Sequence, residues 1–105
     1  VKEGKRTLNL NQVLVDLDQQ PFADGATYKT VILSSLLATL PGDEKAGAKE
    51  KVSLFQLSMK VHDQADDCDL TSEEITLIKD RVGRAFAPLV VGRVFALIDP
   101  ATIGR

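Results

Sequence analysis

Leu70 to Asp99 reads LTSEEITLIKDRVGRAFAPLVVGRVFALID, and its punctuation sets the architecture. Thr71 followed three residues later by Glu74 is a capping box, in which hydroxyl and carboxylate satisfy backbone N–H groups that a helix start leaves unpaired. Leu70 and Ile75 flank the cap at hydrophobic-staple positions, and Glu73 and Glu74 complement the positive end of the helix dipole. Ile75, Ile78, Val82 and Ala85 recur at helical spacing and define a stripe expected to be buried, with Asp80 and Arg84 an i,i+4 ion pair on the other side. Pro88 then clashes with the preceding turn, so the helix stops and a second begins, running from about Pro88 to Ile98. That last helix is apolar nearly all round, with Arg93 its only charge. Such a helix is either the centre of a bundle or half of a subunit interface.

Upstream, Ala48 to His62 is a second strongly patterned helix. Val52, Phe55, Met59 and His62 share one stripe, which Leu54, Leu57 and Val61 widen, so the helix is expected to pack against two neighbours. Between it and the capping box lies Asp63-Gln64-Ala65-Asp66-Asp67-Cys68-Asp69, expected to be an acidic loop that suits neither a strand nor a core. Thr27 to Leu40 reads as a helix capped by Thr27 and stopped by Pro41-Gly42; its β-branched residues lower its propensity, so packing must hold it. In Thr7 to Leu17, Leu8 and Leu10 alternate with polar residues while Val13, Leu14 and Leu17 take helical spacing. This is either a strand followed by one or two helical turns capped by Asn11, or an irregular arm. The arm lies across the bundle or pairs with a partner's strand. Turn signals at Asp18 to Pro21 and at Ala23 to Gly25 leave Phe22 as an apolar anchor between them.

The expected fold is therefore mainly α: a compact bundle of about four helices with an N-terminal extended arm or short hairpin. The 105 residues are expected to form a single domain, with 1–26 the arm and turns and 27–105 the helical core. An apolar fraction of 44% and a charged fraction of 27% are those of a folded globular chain rather than a disordered one. A net charge of −2 argues against a nucleic-acid binder, whose affinity comes mostly from basic surplus. One cysteine leaves no internal disulfide framework. The longest apolar run, Leu89-Val90-Val91, falls far short of the ~20 residues of a membrane span. Val1 to Arg6 has basic residues with no apolar run behind them and is expected not to be a signal peptide.

Candidate chemistry is thin. Counting Asp63 as position one of a calcium loop places Asp67, Asp69 and Glu74 at ligand positions, but Ala65 carries no ligand, Cys68 stands where Gly is needed, and Glu74 is claimed by the capping box. His62 and Cys68 are the only soft ligands, too few and wrongly spaced for zinc, and their separation says nothing of a nucleophile pair. No Gly-rich phosphate loop occurs, and no carboxylate pair sits in an apolar motif that would separate two pKa values. No cofactor, metal site or enzymatic activity is expected. Arg81, Arg84 and Arg93 could gather into an anion patch near Pro88, although arginines on a solvated helix face are the ordinary reading. Val82-Gly83-Arg84-Ala85-Phe86 echoes Val91-Gly92-Arg93-Val94-Phe95, with the glycines expected to permit close helix approach and the phenylalanines to fill core.

The opening LNLNQVLVDLDQQPF, the KEKVSLFQLSMKV and LTSEEITLIKDRVG helices and the following PLVVGRVFALI together resemble a group of small proteins encoded in tailed bacteriophages and prophages. The resemblance covers most of the chain and implies a phage context, with the virion or the host cytoplasm as location, but assigns no functional residue. Small helical proteins in that setting are virion or assembly components, or inhibitors of host enzymes. The expected function is non-enzymatic protein–protein interaction in virion structure or assembly, with a self-copy or another phage or host protein as partner and a homo-oligomer as one form. The expected interface is the last helix, at Leu89, Val90, Arg93, Val94, Phe95 and Ile98. The alternative is a small inhibitor that binds a host protein through the acidic residues Asp63, Asp66, Asp67 and Asp69.

Overall fold

A computed structural model describes residues 6–100 of the chain; the opening segment, Val1 to Lys5, lies outside the described residues. Strand β1 (Arg6–Leu8) leads into an irregular arm, followed by helices α1 (Tyr28–Leu37) and α2 (Ala48–Asp63), strand β2 (Cys68–Leu70) and helices α3 (Ser72–Ala85) and α4 (Pro88–Ile98). The protein is mainly helical, with a two-stranded antiparallel sheet. Leu10, Leu14, Ile32, Leu36, Val61, Leu70, Ile78, Val82, Val94 and Ile98 are fully buried in one core to which every helix contributes.

The capping box forms as its sequence dictates. The Glu74 N–H donates to Thr71 Oγ1 at 3.1 Å and the Thr71 N–H to Glu74 Oε1 at 2.9 Å, while Lys60 Nζ on α2 donates to the same carboxylate oxygen at 2.7 Å. Ile75, Ile78 and Val82 face the core. The chain is extended at Phe86 and Ala87, and Pro88 opens α4 at a position where its missing N–H costs no hydrogen bond. Lys79 ties the two helices together, donating to Asp99 Oδ2 at 2.7 Å with its ammonium 5.5 Å from the Phe95 ring centre.

Elsewhere tertiary contacts override the local reading. The arm forms no helical turn at Asn11. β1 pairs with β2 of its own chain, with Thr7 opposite Asp69; beyond the ladder Leu10 N–H donates to Ala65 O at 2.6 Å, and Lys29 N–H at the start of α1 donates to Leu10 O at 2.7 Å. The acidic segment is accordingly only in part a solvated loop: Asp63, Gln64, Asp66 and Asp67 are exposed, but its end is β2, and Cys68 and Leu70 are both fully buried. Pairing supplies the backbone bonds, and alternation points Cys68 and Leu70 inward while Asp69 turns away to accept from the Thr7 hydroxyl.

Helix α1 starts at the Thr27 cap but ends at Leu37, short of Pro41. The reason is Arg81 of α3, whose Nε donates to Ser35 O at 2.9 Å and whose Nη2 donates to Ala38 O at 2.6 Å. The guanidinium thus takes up carbonyls that a helix C-terminus leaves unpaired. Gly42 then turns the chain at φ 97°, a left-handed conformation that costs a glycine nothing.

Candidate protein interface

Helix α2 carries two apolar stripes with the same spacing, and only one of them is inside. Leu57, Ser58 and Val61 are buried, with Leu54 packed against the core beside them. Val52, Phe55 and Met59, expected to be part of a buried face, point to solvent at 52%, 55% and 48% exposure. Leu37, at the end of α1, is 62% exposed. It borders with Leu54 and Phe55 a shallow groove of about 320 Å³, rimmed by Asp43, Glu44 and Lys51. Four of the six large apolar side chains exposed among the described residues thus sit on α2 or beside it; Val13 and Leu17 of the arm are the others. An aromatic side chain next to a flexible thioether on a solvent-facing helix is an arrangement suited to protein contact.

Helix α4 divides differently from expectation. Val94 and Ile98 are fully buried in the core of their own chain and present nothing to a partner. Leu89, Val90 and Phe95 are only half-buried. Arg93 is committed internally, its Nε donating to Val15 O at 3.0 Å and its Nη2 to Asp16 O at 2.7 Å, which pins the arm against α4.

The three arginines do not converge on an anion site. Arg81 is 2% exposed, and its Nη1 lies 2.8 Å and 3.0 Å from the two Asp43 carboxylate oxygens. Arg84 donates to Asp80 and to Pro41 O. Each guanidinium anchors a connecting segment and no anion patch forms; Arg84 keeps to an exposed helix face beside Asp80, whereas Arg81 is buried and Arg93 half-buried. Asp43 is held below the usual carboxylate range by the Leu40 N–H and by Arg81.

The acidic residues separate in the same way. Asp66 accepts from the Asn11 side chain and Asp69 from Thr7, so both serve to hold the arm. Asp63 closes α2 beside the exposed His62, and Asp67 is exposed. Among the described residues no three His, Cys, Asp or Glu side chains come together as metal ligands. Cys68 is a core filler whose thiol burial pushes up in pKa, away from nucleophilic character. No helix among the described residues is long and apolar enough to cross a membrane.

What sequence reading missed is which α2 stripe faces out. Both repeat at i, i+3, i+7, and the small Ser58 beside Leu57 is the one sign of which side meets a neighbouring helix closely. No protein-family model, curated protein or solved structure matches the chain.

Proposed function

We propose that this chain is a non-enzymatic interaction protein, encoded by a phage and acting in virion structure or assembly, and that its partner docks on the outer face of α2. The supporting observation is that the core closes without Val52, Phe55 and Met59. Their exposure costs hydrophobic free energy, roughly 1 kcal/mol for each of these half-exposed side chains, which burial against a partner would recover. The phage setting rests on the resemblance described above. The interaction role rests on α2, which replaces α4 as the contact element.

The test is a photo-crosslinking amino acid at position 55, introduced into the chain in infected cells, with adducts identified by mass spectrometry. A discrete adduct to a virion or assembly protein, or to a second copy of the chain, is expected. Absence of any adduct, with the same probe at the exposed Lys45 as background, would overturn the reading.

A further inference from the structure

Given that the outer face of α2 is a contact surface, the geometry points to its occupant: a second copy of the same helix, packed antiparallel about a two-fold axis. Val52, Phe55, Met59 and His62 step by three, four and three residues, the alternation that places side chains in a single seam between two helices. All four are exposed, so the seam is open along the helix. Pairing the seam with itself in opposite directions sets Phe55 against the partner copy's Met59, a favourable ring–sulfur contact, and Val52 against the second copy's His62.

The flanking residues decide the direction. Lys49, Gln56 and Asp63 recur every seven residues along one border of the seam, and all three are exposed. In the antiparallel arrangement this border faces its own copy. Gln56 then meets Gln56 on the axis, and Lys49 at the start of each helix meets Asp63 at the end of the other, forming two symmetric ion pairs. Lys49 has no ion pair among the described residues, and Asp63 contacts only the adjacent, exposed His62 among them, at 3.0 Å, leaving its carboxylate open to a second cation. A parallel arrangement forfeits both pairs and sets like ends of the helix dipoles side by side. A two-fold contact is also the commonest symmetry by which identical chains close. A pair of 16-residue helices is a small interface, so association is expected in the range of about 10–100 µM rather than nanomolar.

Two experiments on the full chain test this. The first is charge reversal read by light scattering and sedimentation up to about 1 mM. Lys49→Glu alone and Asp63→Lys alone are each expected to weaken dimerisation about tenfold, and the two together to restore it, since each single substitution turns two symmetric attractions into repulsions. Both substitutions place the charge that the helix end prefers, so loss of association would not come from unfolding. The second uses cysteine pairs, which report cleanly because Cys68 is buried. A mixture of V52C and H62C proteins is expected to cross-link through a short bismaleimide while V52C alone does not. A monomer at every concentration, failure of the double reversal to restore association, or self-cross-linking by V52C overturns the antiparallel dimer. The position-55 photo-probe separates the two readings. An adduct to a different phage protein, with no self-adduct, rejects the second copy and leaves α2 as an interface; no adduct of either kind rejects both.

Discussion

Arg81 on α3 and Asp43 in the α1–α2 connection meet through two short contacts, with Nη1 2.8 Å from Oδ1 and 3.0 Å from Oδ2. The same guanidinium holds Ser35 O and Ala38 O, so one side chain ends α1, fixes the turn that follows it and joins both to α3.

Arg81→Met is expected to cost about 3 kcal/mol, because it removes the donor from two helix-end carbonyls and leaves the Asp43 carboxylate without its cation. The corresponding fall in Tm is on the order of 10–20 °C for a domain of this size. Arg81→Lys recovers only part of the loss, since an ammonium lacks the planar fork that reaches three acceptors at once. Calorimetry on the three proteins checks the order; equal stability of the Met variant would show that the network is dispensable.

Acid should expose the same network. Asp43 is held low by the Leu40 N–H first and then by Arg81. Burial pushes Glu74 up, but its bonds from Lys60 and the Thr71 N–H outweigh this and leave it lowered. A carboxylate whose folded pKa is depressed adds stability that is complete above its unfolded value, near 4, and is lost as pH falls through the folded value. Denaturant midpoints are therefore expected to be level near neutrality and to fall below about pH 4. Asp43→Asn should be less stable at neutral pH and show a shallower acid decline.

The arm offers a local counterpart. Arg93→Ala removes the donors from Val15 O and Asp16 O, and a charged donor to a carbonyl is worth roughly 1.5–3 kcal/mol. Hydrogen exchange should accelerate at the amides of Leu14, Asp16 and Phe22, which are bonded within the arm, and change little at Ile78 and Val82 in α3. Uniform acceleration across the chain would mean that the arm is part of the global unfolding unit.

Gly92 gives a prediction of opposite sign. A methyl group added there meets no atom within 4 Å, and at Gly83 the nearest is Phe95 Cζ at 4.0 Å. Neither glycine serves close helix approach, so Gly92→Ala should stabilise by about 0.5–1 kcal/mol through backbone entropy alone. A rise in Tm of several degrees is the expected readout.

Substitution of the outer stripe tests which side of α2 is the core. Phe55→Lys and Met59→Lys should leave monomer stability within about 0.5 kcal/mol, whereas Leu57→Ala should cost about 2–5 kcal/mol. Chemical denaturation at low protein concentration, where association is negligible, gives both numbers.

Local chemistry determined much of this protein from the sequence alone. Thr71 and Glu74 fixed the start of α3, Pro88 fixed its break from α4, Thr27 fixed the start of α1, and the apolar periodicity fixed a mainly helical bundle. These signals act within one or two turns of chain, where sterics and hydrogen bonding leave few options. Tertiary structure alone decided that Cys68 to Leu70 is a strand, because its partner lies about sixty residues away at Arg6 to Leu8. It decided that α1 stops at Leu37, because the capping guanidinium arrives from α3. It also decided which apolar stripe of α2 is covered. Two stripes of equal spacing bury equally well in isolation, and only the positions of the neighbouring helices choose Leu57 and Val61 for the core and leave Phe55 and Met59 in water.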